Sequence, residues 1–453
     1  MPSLHFKEAL LPSGWSRDVR ITINAARITR IESGVRATPA DEHHAIAIPG
    51  LPNLHSHAFQ RGMAGLAERR GPATDSFWTW REEMYRFLAV LDPDDVAAIA
   101  AQAYAEMLES GFTRVGEFHY LHHDVDGRPY ANLAAMAAGI AHAANQTGIG
   151  LTLLPCFYAH GGLGGQPPTP GQRRFINDID QFARLFDDSR RPIASLEGSR
   201  LGIAPHSLRA VAPEELAQLV SLAGNQPIHI HAAEQVKEVE DCIAWSGQRP
   251  IEWLLANAEL GPRWCLIHAT HMTDAETRRL AATGAIAGLC PVTEANLGDG
   301  IFNGDDWLSA AGKLGVGTDS NVQISAAYEL RQLEYAQRLR HRLRNVMVRG
   351  EGMSTGRHLF DAALAGGAQA LDSGIAGLAV GAFADLVTLD ARNPALAHRE
   401  ADALLDGWIF AAAGNPIDCV WSLGRKVVAG GRHMQHDAIV ERFAAVIGKV
   451  LSA

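Results

Sequence analysis

The sequence predicts an α/β protein, a (β/α)8 TIM-like barrel with a small β-sandwich domain formed by its N- and C-terminal segments. Three observations predict it. Eight short apolar segments alternate with helical patterns through the middle of the chain, residues able to do chemistry fall at their C-terminal ends, and both ends of the chain keep a strand-only rhythm.

Residues 19–23 and 26–31 alternate apolar with polar around a turn at Asn24, as hairpin strands do. Matching segments at 377–390 and 420–428 carry glycine turns. Neither end holds enough apolar surface to stand alone, so residues 1–48 and 374–436 are expected to combine in one sandwich around a barrel of residues 49–373. An amphipathic pattern over 437–451 predicts a packing helix within a C-terminal unit of residues 437–453.

The expected barrel strands are 45–54, 113–120, 150–157, 201–205, 226–231, 264–268, 285–289 and 314–319, with helices at 92–109, 132–146, 213–223 and 274–283 among them. A doubly wound sheet is the alternative. The barrel is favoured because His55, His57, Tyr120, His206, His231, His268 and Asp319 all fall at strand ends, where barrel enzymes assemble their sites.

At 453 residues and 47% hydrophobic content the chain is long enough for one large core and a smaller unit. Lys+Arg 40 against Asp+Glu 50 gives a formal charge of -10 without runs of like charge, which argues against nucleic acid as a partner. Five dispersed cysteines fit a reducing compartment better than a disulfide framework. The start of the chain lacks a basic segment followed by an apolar one, and no apolar stretch is long enough to span a membrane. A cytoplasmic protein with no membrane partner is expected.

The stretch Pro49-Gly50-Leu51-Pro52-Asn53-Leu54-His55-Ser56-His57 ends an apolar run in two histidines one residue apart. In a strand they share a face and can reach one cation. In His229-Ile230-His231-Ala232-Ala233-Glu234 the third ligand is assigned to His231, because Glu234 then lies one turn beyond it; His229 shares the face and is the rival. Asp319, ending the glycine-spaced run Gly315-Val316-Gly317-Thr318-Asp319, is the carboxylate ligand. Three histidines and one aspartate leave an open position for water on one divalent ion, with zinc the expected metal. Glu234 would move that water's proton to the departing nitrogen, and His268, with His271 as alternative, would stabilise developing charge. His206, standing where a lysine would be needed, argues against a carboxylated-lysine two-metal centre.

These residues resemble the amidohydrolase superfamily and its mononuclear deaminases. Longer runs narrow the resemblance: 53–61, 75–81, 116–120, 206–210 and 293–300 are similar to the formiminoglutamate deiminase family. The resemblance implies His55, His57, His231 and Asp319 as ligands and Glu234 as proton acceptor. It implies Gln60, Arg81, Tyr120, His206 and Arg209 as substrate contacts, and a homodimer. The implied reaction is hydrolysis of N-formimino-L-glutamate to N-formyl-L-glutamate and ammonia in histidine degradation. Asn321 departs from a histidine expected in some relatives.

The residue chemistry suits a small dicarboxylate, since Arg81 and Arg209 can each fork onto a carboxylate while Tyr120 and His206 add single donors. In the expected mechanism Asp319 takes the remaining proton of the attacking water. The structural alternatives are that Arg81 covers aromatic surface and that Arg209 pairs with Glu214. The rival functions are a deaminase of a purine or related heterocycle and a non-catalytic barrel scaffold. A Gly/Pro-rich stretch, 158–171, reads as a loop and candidate lid; it lacks the ending of a phosphate-binding loop.

Overall fold

In the computed structural model, which describes residues 3–70 and 75–452, the α/β class and the barrel are as expected. The chain opens with β1 (Ser3–Leu11), β2 (Gly14–Asn24) and β3 (Arg27–Glu32), an antiparallel meander, and β4 (Glu42–Pro49) then lies parallel to β1. Alternation does the work: Val19, Ile21 and Ile23 are buried on one face of β2 while Arg20 and Thr22 turn outward.

The expected strand over 45–54 is two strands in two sheets. After β4 the chain turns at Gly50 into β5 (Leu51–Ser56), the first barrel strand. A Cβ at Gly50 would lie 2.2 Å from Thr113 Cγ2, so only glycine lets the chain cross between the sheets here. The barrel continues through β6 (Phe112–His119), β7 (Gly150–Phe157), β8 (Arg200–Leu201) and β9 (Ala204–Pro205), then β10 (Ile228–Ala232), β11 (Trp264–His268), β12 (Ile286–Leu289) and β13 (Lys313–Val316). Neighbours pair in parallel, and β6 and β7 are buried along their whole length, as strands covered on both faces must be.

Two joins complete the ring. The expected fourth strand is broken at Gly202 into β8 and β9, and parallel bridges Ile203 to Ile228 and Ser207 to His231 connect it to β10. On the other side, Ser56 bridges Asp319, three residues past β13. Beneath the barrel, the helix Thr355–Ala370 comes so close that a Cβ on Gly366 would lie 1.8 Å from the Leu314 carbonyl oxygen. Its end seals the floor: the Ala370 carbonyl accepts from His229 Nε2 at 2.9 Å and the Leu371 carbonyl from Thr152 Oγ1 at 2.8 Å.

The chain returns to the terminal sheet as β14 (Leu386–Leu389), β15 (Ile417–Ser422), β16 (Arg425–Ala429) and β17 (Arg432–His433). Antiparallel pairing of β14 with β4 joins the two ends in one eight-stranded sheet, ordered β17-β16-β15-β14-β4-β1-β2-β3. It keeps an apolar cluster of its own, with Phe6, Ile21, Leu386 and Trp421. The expected strand over 377–390 shrinks to β14, because residues 377–385 are bends and a turn at Val380-Gly381 whose backbone meets β3 only through a single bridge of Phe383 to Arg27 and a few hydrogen bonds. The one over 420–428 divides at Leu423-Gly424 into the β15–β16 hairpin. The final helix, His436–Ser452, buries Ile439 and Val450, and Lys449 bonds Asp92 and Asp95 before and within the helix Pro93–Glu109. Among the described residues no helix is long and apolar enough to cross a membrane.

Gly317 sets how closely the chain after β13 lies on β5, since a Cβ there would meet His55 N and O at 2.7 Å. Gly317→Ala is expected to cost about 1–3 kcal/mol, read by thermal unfolding of metal-stripped protein, and to lower bound metal in elemental analysis. Gly414→Ala, with nothing within 4 Å of the added carbon, should leave both unchanged.

Candidate active site

The end of β5 and the chain after β13 hold each other through their backbones: Asp319 N donates to His55 O at 3.0 Å and His57 N to Asp319 O at 2.9 Å. This pairing fixes one edge of a buried cluster of His55, His57, His231 and Asp319, whose donor atoms all lie within 4.8 Å of one another. Asp319 Oδ1 is 3.3 Å from His55 Nε2 and 3.2 Å from His57 Nε2, and the Nε2 atoms of His55 and His231 stand 3.2 Å apart. His57 Nδ1 donates to the Phe118 carbonyl at 2.8 Å and His231 Nδ1 to that of His206 at 3.0 Å, so both rings turn an Nε2 lone pair inward.

Burial keeps these imidazoles neutral: it pushes His55 down to about 3, lowers His57 and drives His231 far below its usual value. Burial alone would raise the Asp319 carboxyl, but His55, His57 and His268 hold it well below the carboxylate range. Lone pairs facing each other at such distances repel unless a cation lies between them. Ligands about 2.0–2.1 Å from a tetrahedral ion stand roughly 3.3–3.4 Å apart, close to the separations here. The donor set therefore fits a divalent metal.

Asn321, the departure noted in the sequence, is fully buried in the left-handed region at φ 54°. Its side-chain amide donates to Ser56 Oγ and to the carbonyls of His57 and Asp319, each at 3.1 Å. It thus ties together the strand ends that carry His57 and Asp319.

Glu234 is brought beside this cluster by a turn at Ala233, φ 53°, where Glu238 accepts from the amides of Ala233 and Glu234 at 3.1 Å. Its Oε2 lies 3.3 Å from Arg209 and its Oε1 3.8 Å from His268 Nε2. Burial raises the Glu234 carboxyl against the pull of His268 and Arg209. For His268 burial is outweighed by Glu234, Glu294 and Asp319, which hold the imidazole up to about 10. The rivals are elsewhere: His229 faces the barrel floor through Ala370, and His271 Nε2 meets the Asp299 carbonyl at 2.8 Å.

A cavity opens over the cluster and is lined by all five expected substrate contacts, Gln60, Arg81, Tyr120, His206 and Arg209. Gln60 Nε2 donates to Tyr120 Oη at 2.9 Å, leaving its Oε1 without a partner among the described residues. His206 packs its ring 4.5 Å from that of Tyr158 and meets Ser207 Oγ through Nδ1 at 3.0 Å. Arg81 lies over the Trp78 ring at 4.6 Å, as its structural alternative anticipated, yet it also faces the cavity and its buried Nε has no partner among the described residues. Arg209 pairs with Glu234, not Glu214.

Sequence reasoning missed Trp80, Tyr85, Tyr158 and Phe175 as cavity walls, and Glu294, whose Oε1 is 3.2 Å from His268 Nδ1. Tyr158 opens the Gly/Pro-rich stretch, which packs back so tightly that a Cβ on Gly171 would sit 2.5 Å from the Tyr85 ring. For Glu294 a signal existed, an acid inside one of the long motifs.

The family model described as "Amidohydrolase family" matches residues 46–427. The chain belongs to the amidohydrolase family. A model described as "Formimidoylglutamate deiminase HutF, N-terminal domain" matches residues 1–45. A formimidoylglutamate deiminase from Pseudomonas aeruginosa is 51% identical over 453 residues, covering 100% of both chains. The crystal structure of an amidohydrolase from Brucella melitensis superposes with a TM-score of 0.97 at 57% identity over 100% of each chain. An adenosine deaminase from Xanthomonas campestris, solved with bound zinc, shares the fold at a TM-score of 0.83 and 22% identity, covering 100% of this chain and 98% of its own. As an amidohydrolase with a full-length deiminase relative, the chain is a hydrolase acting on carbon–nitrogen bonds.

Buried histidines give this fold an acid limit. Burial holds His229 down at about 4 and His119 at about 3, whereas both charge below about 6.5 in the unfolded chain. Their contribution is complete above that value and is lost as pH falls toward the folded values. The melting temperature should therefore drop from about pH 6.5 downward, and the drop should be shallower in His229→Gln.

Proposed function

We propose that this amidohydrolase removes ammonia from N-formimino-L-glutamate by hydrolysis, leaving N-formyl-L-glutamate, with one divalent ion, zinc, held by His55, His57, His231 and Asp319. The observation that carries the reading is one cavity joining that ligand cluster to two guanidinium groups, Arg81 and Arg209, a match for a substrate with two carboxylates. The full-length relative named as formimidoylglutamate deiminase supports it.

The bound ion supplies the Lewis acidity that makes water a nucleophile near neutral pH. The rest is done by this chain's side chains. Arg81 and Arg209 fork onto the substrate carboxylates, and His206 and Tyr120 add single hydrogen bonds. Gln60, with Oε1 free, accepts from an N–H at the formimino end.

Glu234 takes one proton from the attacking water and gives it to the imino nitrogen, while a carbon–oxygen bond forms at the formimino carbon. His268, with Nε2 turned toward Glu234 and Asp319, stabilises the charge developing there. Asp319 accepts the water's second proton, which reaches the same nitrogen as its bond to carbon breaks. Ammonia then leaves with both protons, and the oxygen stays as the formyl group. The reading includes a homodimer in the cytoplasm; five free, buried cysteines suit a reducing compartment, and sedimentation tests the dimer.

An ammonia-release assay with metal analysis tests the proposal: turnover of formiminoglutamate is expected, and turnover of adenosine or guanine instead would replace it with the purine reading. Glu234→Gln should keep its metal and lose about 100-fold or more in kcat. Arg81→Gln should raise KM by roughly 10- to 100-fold with its metal intact, the loss expected for one hydrogen-bonded charge.

A further inference from the structure

Glu294 belongs to the short helix Pro291–Leu297 that follows β12, and it is 5% exposed. One oxygen, Oε1, does two things. It accepts from the Cys290 amide at 2.8 Å, and it lies 3.2 Å from Nδ1 of His268. The first bond stands in for a helix cap, because Cys290 offers no side-chain cap of its own. The second lies at the back of a ring whose other nitrogen faces the reaction site, with Glu234 Oε1 and Asp319 Oδ2 each 3.8 Å from Nε2.

The ring needs such a hold. His268 and Ala269 both adopt left-handed backbone angles, φ 68° and 47°, so the strand end has already turned sharply to aim this side chain. The contacts at 3.8 Å on its front are too long to fix the ring's rotation. Glu294 supplies the only short side-chain hydrogen bond to the imidazole among the described residues.

We propose that Glu294 is a positioning residue: docked on the Cys290 amide, its carboxylate accepts a hydrogen bond from Nδ1–H of His268, fixes the ring's rotation, and so aims Nε2 at the reacting atoms. The assignment rests on the role given to His268 above. Glu294 is not among the side chains that line the cavity, and it acts through the imidazole. His268, Cys290 and Glu294 do bring donor atoms together closely enough for a second ion, so metal stoichiometry belongs in the test.

The test is a double-mutant cycle on the metal-loaded enzyme, using His268→Ala, Glu294→Ala and both together, with kcat, KM and bound metal measured for each. Glu294→Ala is expected to lower kcat about 10- to 100-fold with KM within about threefold and one ion per chain retained. In the His268→Ala background the same change should alter kcat less than about twofold, because the group it positions is gone.

Glu294→Gln keeps an oxygen for the Cys290 amide; with native thermal stability it should fall between wild type and Glu294→Ala in kcat, which separates the effect from loss of the cap. Equal loss in both backgrounds, or loss of a second ion on removing Glu294, would overturn the proposal. A near-normal kcat for His268→Ala alone would instead remove the role of His268, leaving nothing for Glu294 to position.

Discussion

Two backbone hydrogen bonds between the end of β5 and Asp319 carry the rest of the structure. They close the barrel, and they set the first two imidazoles and the carboxylate at one ion's spacing. Everything around them protects that approach: Gly317 leaves no side chain to hold the strands apart, and Asn321 bonds both ends. Closing the ring and assembling the histidine–aspartate cluster are therefore one event.

The cluster then dictates its own electrostatics. Burial favours the neutral form of the imidazoles, and the buried Asp319 carboxylate calls for a positive charge beside it, which a divalent ion would supply. The neighbouring groups alternate in sign, from Arg209 to Glu234 to His268 to Glu294, so that each buried charge has an opposite one in reach. A dianionic substrate bound as proposed would compete with Glu234 for Arg209. Its binding would then bear on how freely Glu234 exchanges a proton.

Period explains what the sequence revealed and what it hid. His55 and His57 were legible because alternation puts them on one face, and Asp319 because glycine spacing announces close backbone approach. The same alternation could not separate His229 from His231, since both point inward; depth along the barrel separates them, and depth follows from where Ala370 ends the floor helix. Glu294, Tyr158 and Phe175 reach the site from other connections, so their contacts follow from the closed ring rather than local pattern. The unbroken apolar run over 45–54 predicts one continuous strand. The break at Gly50 depends on Thr113, a residue of another strand.

The pairing of Ile48 in β4 with Val387 in β14 has a consequence for how the protein is made. As the chain leaves the ribosome, β1 to β4 emerge first, but the strand that covers the open edge of β4 comes only after the whole barrel has been synthesised. Until then that edge offers unpaired amides and carbonyls to any passing strand. Emergence of β14 is what covers that edge, and before it arrives the exposed strand is a site for misassociation.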